Sequence, residues 1–383
     1  MQITLDTRNT GRNNGTGITT YTNTLASALK ELSGVQLNWL HEQSSPNPKL
    51  KKSLTFFSKY VRLVRAATNN RKKATFQNND YFSDDIYRIS HIHFKLFSRM
   101  MPVFSNVNTD IMHWTCPLPI YMPQAHNIYT IHDLIPIIHP EMGKTDPNKF
   151  KKLIDSILNN PSEIITVSES VKKDLIRYFG ISPKRVHVVY QTTNIATQSL
   201  HSTLPDNDEL ADSFVYVGSI EKRKNIGRLI QAHAASQTKR RLVLIGKDGF
   251  DAQKELSALN KHPHPDRVVR LQWTPRNRLI NIIRSSRAVV FPSLAEGFGL
   301  PIIEGMALGV PVLTSSQGAT EEVAGQAALL IDPYSINSIA DGIQQLDTND
   351  NLCKELSLLG YRRANFFNHN EYGKTNYNIY NKL

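Results

Sequence analysis

Apolar residues in this chain come in short runs, separated by stretches where they recur every three or four positions. The first run, residues 2–6, alternates and ends on an acid. Runs of similar length stand at 35–40, 110–114, 127–132, 163–167 and 185–190, and each reads as a strand. A helix is predicted over 18–32, where Leu25, Ala28, Leu29 and Leu32 share one face. Another is predicted over 168–179, with Ser168 as N-cap, Gly180 just past its end and Pro183 beyond. Alternation of this kind gives a mostly parallel sheet covered on both faces.

The pattern lapses between 197 and 212, a polar stretch with one proline, and then resumes more clearly. Strands are predicted at 214–218, 241–246, 268–271, 288–291, 310–314 and 327–331. Helices are predicted at 225–235, 253–259, 275–285, 300–308 and 320–324, the third with Thr274 as cap and Pro275 in its first position. From Ile336 the chain reads as helical to near its end, with a break at Gly360. At 383 residues it exceeds what one core organises. The expected division is a Rossmann-like domain over 1–196, a linker over 197–212 and a second Rossmann-like domain over 213–360. A helix over 361–383 is expected to cross back to the first domain. An α/β architecture with two such domains across a cleft places ligands at the carboxyl ends of the strands.

Composition narrows the class. With 40% hydrophobic and 20% charged residues, the chain is that of a globular protein. The opening residues lack a basic segment leading into an apolar one, and no apolar run reaches about 18 residues. A cytoplasmic protein is the expectation. Cys116 and Cys353 form neither a zinc spacing nor a disulfide framework. The net charge of +12 is uneven: residues 43–79 contain nine basic residues and no acid. Among them Lys49, Lys51, Lys52, Lys59, Arg62 and Arg65 interleave with Leu54, Phe56, Phe57, Tyr60, Val61, Leu63 and Val64. Such a basic amphipathic helix suits an anionic membrane surface, with the protein peripheral on its cytoplasmic face. A solvated helix covering the core has the same pattern. No nucleic-acid module is present. Asp206-Asn207-Asp208 has the spacing of a metal-binding D-x-D, but it sits in the linker rather than at a strand end, so no metal site is expected.

Candidate chemistry concentrates in residues 291–312, FPSLAEGFGLPIIEGMALGVPV. A strand ends at Phe291, Glu296, Gly297, Phe298 and Gly299 form a loop, and a helix starts near Leu300 with Pro301 in its first turn. Free backbone N–H groups at such a helix start receive an anion. A carboxylate such as Glu304 accepts two hydrogen bonds from a vicinal diol, as in ribose. Arg223 and Lys224 follow the first strand of this half and precede a helix that Asn225 is expected to cap. Fixed cations there suit a diphosphate leaving group. Residues 11–25 form a glycine-rich loop running into a helix, although Thr20 stands where a third glycine of G-x-G-x-x-G would fall. His132-Asp133 closes the strand at 127–132, where a histidine could donate a hydrogen bond to a bound ligand. His113 and His139 have no comparable context.

The segment E-G-F-G-L-P-x-x-E from Glu296 to Glu304 resembles the E-x7-E signature of the retaining glycosyltransferases of family four, which have the GT-B fold. Residues 216–225 resemble the V-G-x-x-x-x-R-K-N segment of that family, and 318–323 and 327–333 resemble its downstream landmarks. The loop with Gly15 and Gly17 resembles the family's glycine loop, and His132-Asp133 its active-site pair. The resemblance implies donor contacts from Gly15, Gly17, Arg223, Lys224, Gly297, Phe298, Gly299, Leu300 and Glu304. It implies catalytic roles for His132, Lys224 and Glu296. It implies transfer of a hexose, mannose by preference, from GDP-mannose or a UDP-sugar to a saccharide, with retention and without a metal or other cofactor. With the basic segment, it suggests a polyprenyl-diphosphate-linked acceptor in polysaccharide assembly. A GT-B epimerase, a phosphorylase and a non-catalytic nucleotide-sugar binder are the alternatives; a mere binder need not keep Lys224, Glu296 and Glu304 together. The chain departs from the family at Ser219, where many relatives carry Arg, and at 191–194, where Asn-Gly is common. It departs also at Gly305, where Ala is usual and a helical glycine costs about 0.5–1 kcal/mol.

Overall fold

Strand β1 (Gln2–Asp6) lies inside a ten-stranded sheet, parallel to its neighbours on both sides. The computed structural model describes residues 1–10, 17–43, 72–193, 195 and 209–383. The remaining strands of this sheet are β2 (Gln36–Gln43), β3 (Lys72–Gln77), β4 (Asp80–Asp84), β5 (Met101–Ser105), β6 (Ile111–Trp114), β7 (Ile120–Tyr121), β8 (His126–Ile131), β9 (Ser162–Thr166) and β10 (Val186–Val188). Their order is β10-β9-β8-β6-β1-β2-β4-β3-β5-β7. Among the described residues only the β3–β4 pair is antiparallel. Its two-residue turn, Asn78-Asn79, has positive φ at both positions, 51° and 65°, as a tight primed hairpin requires. This hairpin, the helix Ile86–Phe97 and the strands β5 and β7 at one end of the sheet are absent from the sequence expectation. Lys72 and Lys73, read there as the end of a basic segment, open β3. The rest of that segment, 49–71, lies outside the described residues, as do Gly15 and Asp206-Asn207-Asp208.

The second sheet is entirely parallel: β11 (Phe214–Val217), β12 (Leu242–Ile245), β13 (Val268–Leu271), β14 (Ala288–Phe291), β15 (Val312–Ser315) and β16 (Leu329–Ile331). Its order, β13-β12-β11-β14-β15-β16, reverses direction between β11 and β14. Strands β11, β12 and β14 are buried along nearly their whole length, which explains their unbroken apolar runs. Among the described residues no helix is long and apolar enough to cross a membrane.

Two glycines set how closely the helices approach. A Cβ on Gly305 would stand 2.9 Å from Val289 Cγ2 and 3.1 Å from Val312 Cγ2, so the helix Leu300–Ala307 rests directly on β14 and β15. Gly360 breaks nothing: the helix Asp350–Ala364 runs through it, and a Cβ there would meet Met306 Cγ at 3.1 Å. Two capping expectations also differ. Pro275, not Thr274, is the N-cap of the helix Arg276–Arg284, in an extended conformation with ψ 145°, so the helix starts one residue later than expected. Asn225 begins the helix Ile226–Ala235 in a left-handed conformation, with no capping hydrogen bond from its side chain. The last helix, His369–Tyr380, packs on the helix Gly17–Lys30 of the first sheet, with Gly373 close against the Ala28 carbonyl.

Candidate active site

The reversal point between β11 and β14 opens a crevice at their carboxyl ends, and both strands continue there into charged loops. After β11 the turn Lys222–Lys224 leads into Asn225 at φ 64°. The Asn225 side-chain amide donates to the carbonyls of Pro292 (3.0 Å) and Pro333 (2.7 Å). The Leu294 N–H donates to the Arg223 carbonyl at 2.7 Å. These bonds fasten the two loops together and fix where their side chains project.

They converge on Glu296. Its Oε2 accepts from Arg223 Nη1 at 2.8 Å, and its Oε1 accepts from Lys224 Nζ. Arg223 Nη2 also pairs with Glu221 at 2.7 Å. The Lys224 ammonium lies 4.6 Å from the centre of the Phe291 ring. Burial by itself would raise the Glu296 carboxyl, but Arg223 and then Lys224 outweigh it and hold it below the usual carboxylate range. Burial pulls the Lys224 ammonium below its ordinary value, and Glu296 restores only part of this.

The loop from Glu296 to Gly299 is wedged between the domains. A Cβ on Gly297 would fall 1.9 Å from the His132 carbonyl oxygen, so no side chain fits. Ser168, whose hydroxyl also caps the helix Glu169–Phe179, donates to the Gly297 carbonyl at 2.8 Å. Phe298 is buried with its ring centre 5.6 Å from Phe367. Gly299, at φ 108°, turns the chain into the helix Leu300–Ala307. Glu304 is buried in the second turn of this helix, and its Oε1 accepts from Arg276 Nη2 at 2.9 Å. Sequence reasoning missed Arg276, which lies on a different element with no spacing that marks it.

On the opposite wall, His132 follows β8. Its Nε2 is 2.8 Å from the Thr115 carbonyl, an acceptor only, so Nε2 carries the proton. Burial pulls this imidazole down to about 4, leaving it neutral. The nitrogen that remains, Nδ1, accepts rather than donates, a correction to the expected hydrogen bond to sugar. Burial raises the neighbouring Asp133 carboxyl, and Arg223 opposes the rise. His113 is buried and is not among the residues that line the cleft of about 290 Å³ between the domains, which His139 does line. Asp133, Ser170, Asp174, Glu296 and Thr320 line the same cleft. Gly17 starts its helix, and a Cβ there would meet nothing within 4 Å. Among the described residues no group of three or more His, Cys, Asp or Glu side chains is arranged to hold a metal.

Residues 205–363 match the family described as Glycosyl transferases group 1, and residues 15–196 match Glycosyltransferase Family 4. The chain is 28% identical to O-antigen chain mannosyltransferase B of Escherichia coli, over 64% of this chain and 68% of that protein. It is 26% identical to N-acetylgalactosamine-N,N'-diacetylbacillosaminyl-diphospho-undecaprenol 4-alpha-N-acetylgalactosaminyltransferase of Campylobacter jejuni, over 66% of this chain and 64% of that protein. Both alignments thus leave about a third of the relative unmatched. Among solved structures, sucrose-phosphate synthase from Thermosynechococcus elongatus superposes with a TM-score of 0.73 over 100% of this chain and 99% of its own, at 18% identity. With two parallel-sheet domains meeting at the reversal point and both halves matched in sequence, the chain belongs to the family-four, group 1 glycosyltransferases of GT-B fold.

Proposed function

We propose that the chain transfers a hexose, by preference mannose from GDP-mannose with a UDP-sugar as the alternative donor, to a saccharide acceptor with retention of configuration. The observation that carries this reading is the convergence of Arg223 and Lys224 on Glu296 beside the His132–Gly297 contact. The two cations receive the donor diphosphate, and the N–H groups at the start of the helix Leu300–Ala307 add to the field. Glu304, steadied by Arg276, takes the ribose diol. Glu296 and the loop amides hold the sugar, and His132 Nδ1 accepts from one of its hydroxyls. The acceptor oxygen bonds to the anomeric carbon as the bond from that carbon to phosphate oxygen breaks. The acceptor's proton passes to the departing phosphate on the same face. The protein contributes position and charge.

The names of the relatives support mannose and a diphospho-undecaprenol carrier, so the acceptor is proposed as polyprenyl-diphosphate-linked and the reaction as a step in polysaccharide assembly at the cytoplasmic face of a membrane. A panel of nucleotide sugars against extracted lipid-linked saccharides identifies donor and acceptor by the nucleotide released. Replacing Lys224 by Ala is expected to lower kcat/KM about a hundredfold, roughly 2.7 kcal/mol of transition-state stabilisation. Turnover close to wild type would remove Lys224 from the mechanism. Because fixed cations stand where a metal would neutralise the diphosphate, activity is expected to persist in EDTA. Loss in chelator with recovery on Mn²⁺ would show that they do not suffice.

A further inference from the structure

His113 is buried, takes no part in the proposed chemistry, and yet has both ring nitrogens engaged. Its Nδ1 is 2.6 Å from the hydroxyl of Tyr380, near the end of the last helix. Its Nε2 is 2.8 Å from Thr130 Oγ1, on β8. Thr130 Oγ1 in turn is 2.7 Å from the hydroxyl of Tyr21, on the helix Gly17–Lys30. The Tyr21 ring stands edge-on to the His132 imidazole, with ring centres 4.7 Å apart and an interplanar angle of 89°. Tyr380, His113, Thr130 and Tyr21 are each at most 2% exposed. Burial pulls His113 down to about 3, so it is neutral, and one of its neighbours donates to it while it donates to the other. A satisfied line of this kind in a low-dielectric interior is stiff, because each bond polarises the next.

The line starts on the C-terminal helix and ends at the ring that flanks His132. Packing on both sides leaves little slack: Gly373 puts the last helix within contact of the Ala28 backbone, on the same helix as Tyr21. The His132 ring has two restraints, the Thr115 carbonyl in its plane and Tyr21 against its side. Deleting the Tyr21 hydroxyl, or the Tyr380 hydroxyl three groups along the line, removes no atom from the crevice.

We propose that Tyr21 is a positioning residue for His132, and that the C-terminal helix, through Tyr380, His113 and Thr130, sets its orientation. This inference rests on the reading of His132 as a contact of the donor sugar. The test uses the full-length chain with Tyr380→Phe and Tyr21→Phe, each of which deletes one hydroxyl and keeps the ring, and with His132→Ala as reference. Both Phe variants are expected to lower kcat by roughly tenfold with donor KM within about twofold, as misplacement of a sugar contact that strengthens in the transition state does. The His132 Cε1 resonance is expected to shift in both variants. Wild-type kcat and an unmoved resonance in both, with His132→Ala impaired, would reduce the line to core packing and leave the role of His132 standing. Full activity in His132→Ala would overturn that role and this inference with it. Should Tyr380→Phe not fold, Tyr21→Phe decides the same question.

Discussion

Single side chains carry much of what can be measured here. His233 and His262 stack with ring centres 5.2 Å apart. His233 Nε2 faces the Arg240 carbonyl at 3.0 Å and so must donate. Its Nδ1 then accepts from His262 Nε2 at 3.0 Å, while His262 Nδ1 accepts from the His264 N–H. Burial pulls His233 down to about 4 from its ordinary 6.5. Below pH 6.5 the unfolded chain takes up a proton that the folded protein refuses, so stability falls as pH falls through this window. His233→Phe lacks this linkage. Its stability deficit relative to wild type is expected to narrow by up to about 1.4 kcal/mol per pH unit between pH 6.5 and about 4, measured by urea unfolding. A deficit constant over that range would mean that His233 titrates alike in both states. The residues around the crevice were legible to the extent that chemistry was written in one contiguous stretch. Glu296, Gly297 and Glu304 could be picked out because they share a loop and its helix. Arg276, which grips Glu304, and Glu221, which grips Arg223, could not, because only the fold brings them together.

At the scale of elements, periodicity found the strands of the second sheet because burial on both faces leaves uninterrupted apolar runs. It missed β3 and β4, whose residues alternate with charges and sit next to a basic segment that reads as helix. The cue was present as Asn78-Asn79, two residues that tolerate positive φ between two alternating runs. Gly360 was misread for a related reason. Glycine in a helical pattern suggests a break, but close helix packing selects glycine equally well. The two packing glycines make different predictions. Gly305→Ala drives a methyl into two β-branched side chains on the sheet and is expected to destabilise by about 1–3 kcal/mol. Gly360→Ala meets the flexible Met306 side chain and gains helix propensity, so a change within about 1 kcal/mol in either direction is expected. Chemical denaturation of the two variants side by side tests the contrast. Equal losses would mean that the approach of the helix Leu300–Ala307 to the sheet is not what requires glycine.

Across the whole molecule, the domains are held by a few polar fastenings as well as by Gly297 and Phe298. The Glu322 carboxylate, from the second domain, accepts from the N–H groups of Glu169 (2.7 Å) and Ser170 (2.8 Å) at the start of the helix Glu169–Phe179. A carboxylate on a helix N-terminus is favoured by charge and by hydrogen bonding alike. Glu322→Ala is expected to weaken closure by about 1–3 kcal/mol and to enlarge the radius of gyration in small-angle scattering without donor. Identical scattering from the two proteins would deny Glu322 this role. The alternation along the chain made the two-sheet plan legible, but not this fastening, which joins residues far apart in the chain.

The pairing of Glu296 with both Arg223 and Lys224 has one more consequence. The crevice is not an open trap for polyphosphates, since Arg223 and Lys224 already pair with Glu296. An incoming anion has to win them from a carboxylate that then loses both of its partners. In the proposed reaction a nucleotide that arrives with its sugar gives this group hydroxyls to hold, whereas the spent nucleotide gives it nothing. On that reading the internal ion pair discriminates against product, and re-forming it helps to expel the leaving group after each turnover.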